Sequence, residues 1–351
     1  MVNTPEQEKG QEQLAEKKAT MRDIAKAVGT SAVTVSKALA GKTGMSEKLR
    51  SKILKKADEM GYEYPRGNRL VLREHLEIGI LIPERYFEPG SYYAIICKQL
   101  IKKLTDMGHF GLLELLTNEN EKQLTLPNLM TSGHADGLIL LGEPSKPYYR
   151  KIAQAGVPIV FLDFYDEQAN ADAVAGDNSY GAYRLTCHLI RRGHTKIGFV
   201  GNTKATSSIM DRFLGYYRAM LLNDLQVREE WILSDRGLTG GLVDPVLPDE
   251  LPTAFVCNCD ITARMLIRLL QDKGLRVPED VSVTGFDDFP AGGPGDVPLS
   301  TFRIDTSGMI ELAVKALLER CAGERKPFGR LVVGGQPVYR ESEIPCTNSE
   351  L

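Results

Sequence analysis

Between Thr20 and Met60 the apolar positions recur every three or four residues in three short blocks, each opened by a hydroxyl side chain and closed near a glycine. Thr20 and Asp23 form a Thr-x-x-Asp cap signature, after which Ile24, Ala27 and Val28 share a face and Gly29 stops the helix. Ser31 opens a second block, SAVTVSKAL, ended by Gly41. Ser46 opens a third, in which Leu49, Ile53, Ala57 and Met60 precede Gly61. The tight Gly29-Thr30-Ser31 connection between the first two blocks gives a helix-turn-helix arrangement. Residues 62–75, YEYPRGNRLVLREH, are basic, contain a proline and read as a linker.

From Glu77 onward the period changes. IGILIP (78–83), HADGLILL (134–141), VPIVFLDF (157–164), KIGFVG (196–201), AFVCNC (254–259) and VSVTGFDD (281–288) are apolar runs of strand length without alternation, as in strands buried on both faces. Helical stretches lie between them, among them 94–108, 179–193 and 261–274. This alternation predicts an α/β fold of doubly wound parallel sheets, and about 270 residues is enough for two such lobes.

Charge sharpens the division. The net charge of −3 conceals a basic block of +9 from Lys17 to Arg73, a polar start (1–16) of −3 and a remainder of −9. A basic helical head on an acidic body is the footprint of a phosphate-binding module joined to a part that avoids DNA. Residues 1–18 have almost nothing to bury and are expected to form a disordered tail. With no apolar run near membrane-spanning length and no apolar leader, a cytoplasmic, nucleoid-associated protein is expected. Six scattered cysteines form no paired Cys-x-x-Cys clusters, so buried thiols are expected in place of a metal site or disulfide scaffold.

Enzyme signatures are missing. Gly41-Lys42-Thr43 imitates the end of a phosphate-binding loop, but Ser36 stands where the leading glycine belongs. No Gly-x-Ser-x-Gly, His-Glu-x-x-His or Gly-x-Gly-x-x-Gly occurs, so no catalytic residue and no cofactor is assigned. Two rival readings remain: an α/β enzyme with a basic appendage, and a plain sugar-binding module.

The blocks MRDIAKAVGTSAVTVSKALAGKTGMSEKLRSKILKKADEMGY, DNSYGAYRLTCHLIRRGHTKIGFVG, DRFLGY, GLRVPEDVSVTGFDD and PLSTFRID occur in this order. With that content and spacing the chain resembles the LacI (lactose-repressor) family of bacterial regulators from about Thr20 to Ile344. The resemblance implies a head at 19–61, a hinge at 62–75, and a periplasmic-binding-protein-like core at 76–345. The N-lobe would take about 76–175 and 304–327, and the C-lobe 176–301 and 328–345. It further implies a homodimer on a pseudo-palindromic operator, with recognition helices in the major groove, hinge helices in the minor groove and a sugar-like effector between the lobes.

In the head, the resemblance places Ala32, Val33 and Lys37 at base-reading positions. Lysine lacks the arginine fork, so guanine discrimination would be softer. Thr30, Ser31, Thr34 and Ser36 suit phosphates or capping. The hinge departs from the usual pattern: Gly67 weakens a helix, and the minor-groove wedge falls to Leu70, Val71 or Leu72. In the core, Asp163, Arg212 and Asp287 match effector-contacting positions. Tyr92 and Tyr93 are either ligand contacts or lobe packing, and Asp260 follows Cys259, where the family usually has Asn-Asp. Phe164 and Arg236 are further cleft candidates. Trp231 reads as packing or surface, and His194 as structural.

Overall fold

A computed structural model describes residues 19–39, 45–62, 75–88, 90–237, 240–289, 293 and 295–346. The tail at 1–18, Gly41 with its neighbours, and 63–74 with Leu70, Val71 and Leu72 lie outside the described residues. The chain divides into two compact units, Met1–Glu74 and His75–Leu351.

The first unit holds α1 (Met21–Val28), α2 (Ala32–Leu39) and α3 (Glu47–Glu59). Thr20 and Asp23 form the reciprocal capping box, and Gly29 ends α1 at φ 78°, a left-handed conformation that glycine adopts without Cβ strain. Ile24, Ala25, Val28, Val35, Ala38, Leu39, Ile53 and Ala57 form its core. Ala27 is exposed, contrary to the sequence reading. The buried stripe runs through Met21, Ile24, Ala25 and Val28, and at 3.6 residues per turn that turns Ala27 aside.

The second unit has two lobes. In the N-lobe a six-stranded sheet has the order β11-β5-β4-β3-β1-β2. Its strands are β1 (Glu77–Pro83), β2 (Phe110–Leu116), β3 (Gly137–Leu141), β4 (Ile159–Leu162), β5 (Asp172–Gly176) and β11 (Arg330–Val333), paired parallel throughout. The helices accompanying it are α4 (Tyr92–Asp106), α5 (Asn118–Gln123), α6 (Asn128–Thr131), α7 (Lys146–Ala153) and α11 (Thr306–Cys321). Leu138, Leu140, Tyr148, Ile152 and Phe161 fill the space between sheet and helices.

The C-lobe sheet, order β7-β6-β8-β9, comprises β6 (Ile197–Val200), β7 (Ile232–Leu233), β8 (Ala254–Cys257) and β9 (Ser282–Thr284). Val200, Phe255, Leu266, Leu270 and Val283 pack on one side with α10 (Asp260–Asp272). Leu189, Phe199, Tyr216 and Met220 pack on the other with α8 (Asn178–Arg191) and α9 (Ser207–Leu222). Burial on both faces explains why these strands read as unbroken apolar runs. A small antiparallel pair, β10 (Thr301–Ile304) with β12 (Gly335–Val338), adjoins this lobe.

The chain passes between the lobes after β5, between β10 and α11, and between β11 and β12. These crossings are tied together: Asp177 N donates to Val333 O at 2.8 Å, and Asp305 N to Gly334 O at 3.4 Å. The sequence reading returned the chain to the C-lobe at residue 328. Arg330–Val333 instead completes the N-lobe sheet beside β5, and the return falls at Gly334, just before β12.

Gly215 explains one of the sequence blocks. A Cβ there would collide with the Ser179 carbonyl of α8, so glycine lets α9 lie directly on that helix. Gly215→Ala is expected to destabilise the core by about 2–3 kcal/mol through overpacking, seen as a melting point lower by roughly 5–10 °C. A melting point within a degree of the parent would refute this packing.

Candidate functional site

Two regions hold the residues singled out by sequence. In the head, α2 buries Val35, Ala38 and Leu39, which turns Val33 and Lys37 outward; Val33 is 65% exposed. Four residues apart, they share one exposed face. Thr30 and Ser36 are half-buried, and Ala32 is half-buried against the helical core. Ser31 and Thr34 bond each other: Ser31 Oγ accepts from Thr34 N at 3.0 Å, and the two hydroxyls lie 2.8 Å apart. Ser31 therefore caps α2, with the Thr34 hydroxyl held against it. Arg22 and Lys26 on α1 and Lys48, Lys52 and Lys55 on α3 are also exposed.

In the core, a cavity of about 230 Å³ opens between the lobes, lined by Arg85, Tyr86, Tyr92, Tyr93, Asp163, Ser208, Arg212, Arg236, Asn258, Cys259, Asp260, Asp287 and Phe289 among others. All seven core residues expected at an effector site are brought together here. Asp163 follows β4 directly at φ 71°, and Asp287 lies beyond β9 at φ 101°. Both are side chains at the carboxyl ends of parallel strands, where open α/β sheets bind ligands.

Arg212, on α9, is 5% exposed and ties together three segments of the C-lobe. Its Nε donates to Asn178 Oδ1 at 2.8 Å, one Nη to the Asn258 carbonyl, and the other to Asp287 Oδ1 at 3.0 Å. The guanidinium lies 4.0 Å from the centre of the Phe286 ring. From the N-lobe, Tyr93 donates its hydroxyl to Asp163 Oδ2 at 2.7 Å. Tyr92 meets Phe289 edge to face, and its buried hydroxyl has no partner among the described residues.

Asp260 serves a different purpose. One oxygen accepts from Thr301 Oγ1 and the other from Phe289 N, both at 2.6 Å, so its carboxylate holds the loop after β9 in place. The Cys259 thiol lies 3.3 Å from Thr262 Oγ1. Phe164 is excluded from the cleft: it is fully buried and stacked on Phe161 at 4.5 Å. His194 bonds Thr253 Oγ1 and the Ile344 carbonyl, and Trp231 donates to the Glu250 carbonyl; both are structural.

Burial governs the electrostatics. It pushes the Asp287 carboxyl up to about 8 against the opposing pull of Arg212, with Asp260 and Asp163 adding repulsion. Burial also raises Asp260 to about 6 and lifts Asp163, which Arg212 and the Tyr93 hydroxyl partly offset. Every cation at the cavity has a carboxylate partner: Arg212 with Asp287, Arg85 with Glu121, and Arg236 with Asp235 at 3.0 Å. Among the described residues no cluster of three or more His, Cys, Asp or Glu could hold a metal, and no helix is long and apolar enough to cross a membrane.

Sequence reasoning missed Arg85, Tyr86, Ser208, Asn258, Phe289 and the Gly240–Leu242 turn. Arg85 and Tyr86 follow the end of β1, a position that the strand-end rule could have marked.

Comparison with known proteins agrees with this architecture. Residues 20–64 match the bacterial regulatory proteins of the lacI family, and residues 186–343 match the periplasmic binding protein-like domain. The chain joins a LacI-family helix-turn-helix domain to a periplasmic-binding-protein-like domain. The ribose operon repressor of Haemophilus influenzae is 28% identical over 331 residues, covering 92% of this chain and 98% of the relative. The regulator MalR of Streptomyces coelicolor is 29% identical over 334 residues, covering 92% and 96%. Among solved structures, a CelR–cellobiose complex superposes with TM-score 0.65 at 23% identity, covering 93% of this chain and all of that one. A lac repressor dimer bound to operator and the anti-inducer ONPF gives 0.64 at 21%, with the same coverage. The chain is a transcriptional regulator with a ligand-binding domain.

The raised carboxyls of this periplasmic-binding-protein-like core carry a signed pH dependence. In an unfolded chain they titrate near about 4, so folding takes up protons between there and about 8. Stability from this source is greatest at the acidic end and falls as pH rises. The melting temperature of the effector-free protein should carry a downward component from pH 5 to 8, and Asp287→Asn should shrink it. Identical slopes for the two proteins would contradict the assignment.

Proposed function

We propose that this regulator is a homodimeric repressor of a pseudo-palindromic operator whose affinity is set by a sugar held between the core lobes. The observation that carries the effector reading is the convergence of Asp163, Arg212, Asp287 and Tyr92 on one cavity from both lobes. Each carboxylate has an oxygen beyond the one bonded to Tyr93 or Arg212, and Tyr92 has an unmatched hydroxyl. Acceptors beside a donor suit the hydroxyls of a polyol, while Tyr86, Tyr92 and Phe289 offer apolar faces to its ring. With the cationic side chains already matched, an uncharged sugar fits better than a sugar phosphate, which would be desolvated beside three carboxyls.

For the head, the exposed Val33–Lys37 face of α2 reads the major groove, and Thr30, Ser36 and the surrounding cations position it on phosphates. Ala32 contributes chiefly to packing. Leu70, Val71 or Leu72 would wedge the minor groove if the hinge folds on DNA as the family resemblance implies. A cytoplasmic, nucleoid-associated location follows from this role.

Fluorescence anisotropy with fragments from upstream of the protein's own gene, scrambled controls and a panel of sugars tests the whole reading. Specific binding that a sugar releases or strengthens is expected, with affinity falling steeply as salt rises. Binding indifferent both to sequence and to every sugar would overturn it. Lys37→Ala should weaken the preference for operator over scrambled DNA; full discrimination in that variant would remove Lys37 from base reading. Tyr92→Phe should keep DNA binding and weaken the sugar response roughly threefold to tenfold. An unchanged response would place the Tyr92 hydroxyl outside the contact.

A further inference from the structure

The first turns of α9 are held from the N-lobe at two points, neither of which lines the cavity. A helix leaves its first N–H groups without intrahelical partners. Thr206 caps α9 in the usual way, its hydroxyl accepting from Ile209 N at 3.2 Å. The Ser207 N–H is satisfied by the opposite lobe: Glu143 Oε2, just beyond β3, accepts from Ser207 N at 2.7 Å and from Ser207 Oγ at 2.8 Å. A carboxylate at a helix N-terminus is also favoured by the helix dipole.

The backbone of Glu143 is anchored in turn. Its carbonyl accepts from Arg85 Nη2 at 3.2 Å and from the Tyr86 hydroxyl at 3.3 Å, both cavity-wall residues. The second point lies one turn on. Asp211, 8% exposed, accepts from the Tyr165 hydroxyl at 2.8 Å and from Arg330 Nη2 at 2.9 Å, and Arg330 lies 3.7 Å over the Tyr165 ring. Tyr165 follows β4 and Arg330 begins β11, so both donors belong to the N-lobe. The next residue on α9 is Arg212.

We infer that Glu143 and Asp211 are positioning residues forming an interlobe clasp on α9, which sets the cleft opening and the placement of Arg212. The clasp concerns the two lobes alone and does not depend on what the cavity binds. Its two carboxylates accept from partners in the opposite lobe, so opening the cleft breaks these bonds and leaves the Ser207 amide at a helix end without its acceptor.

Cysteine labelling reads the clasp directly. Cys259 lines the cavity, whereas Cys321 is buried in α11, away from it. The effector-free full chain is treated with N-ethylmaleimide and each modified cysteine is located by peptide mass spectrometry. Glu143→Ala should raise the Cys259 rate about tenfold and leave Cys321 unchanged. Glu143→Gln, whose amide oxygen still accepts from Ser207 N–H, should restore most of the protection. Should the alanine variant fail to fold, Tyr165→Phe removes only the hydroxyl bonded to Asp211 and should raise the Cys259 rate about threefold. A Cys259 rate unchanged in the folded variants overturns the clasp. Equal acceleration of Cys259 and Cys321 also overturns it, because that pattern marks general loosening of the fold.

Discussion

A guanidinium withdrawn from water is costly unless each side of it meets a partner, and at Arg212 that requirement organises the core. Its bonds reach the start of α8 through Asn178, the end of β8 through the Asn258 carbonyl and the loop beyond β9 through Asp287. The Phe286 ring closes one face. Three segments far apart in the chain are thus fixed at one end of the C-lobe sheet. The left-handed backbone at Asp287 is consistent with this: its amide bonds the Phe302 carbonyl at 2.8 Å while its side chain turns back to Arg212. Breaking the pair from either side would strip a buried polar group of its partner, so fold and cavity share one interaction.

Much of this was legible in the sequence because burial leaves a period. The strands β1, β3, β4, β6, β8 and β9 were visible as apolar runs, and the helical head through its caps. The strands that escaped are edge, short or weakly apolar segments. β2 sits at the sheet edge with Phe110, Leu113 and Leu115 exposed, and β7 has two residues. β5 is Asp-Ala-Val-Ala-Gly, too small and polar to stand out. β11 and β12 adjoin a lobe crossing, and β11 takes its place only by pairing with β5, more than a hundred positions earlier in the chain.

The site was legible to a different degree. Asp163 and Asp287 stood out because they end strands, and Arg212 because it lies in a motif. What sequence could not supply was the assignment of their bonds. Tyr93 gives its hydroxyl to Asp163, Asp260 has one oxygen on Thr301 of β10 and the other on Phe289 of the loop after β9, and Ser31 and Thr34 bond each other. Residues that match ligand positions by type thus divide into those with hydrogen-bonding capacity to spare and those without it. Glu143 lay outside every motif and Asp211 stood in DRFLGY without a role, since a carboxylate whose partners belong to another lobe has no local signature.

The distribution of cavity groups between lobes bears on how a ligand could act. Tyr92, Tyr93 and Asp163 belong to the N-lobe; Arg212, Cys259 and Asp287 belong to the C-lobe. A ligand shifts a conformational equilibrium only by its difference in affinity for the two states. A molecule touching one lobe would bind open and closed forms alike and change nothing at the head, however tightly it bound. One that spans Asp163 and Asp287 gains its second set of bonds only when the lobes approach. The same polar groups therefore hold the ligand and make its binding depend on the lobe angle, which is the minimum any coupling between cavity and DNA head requires.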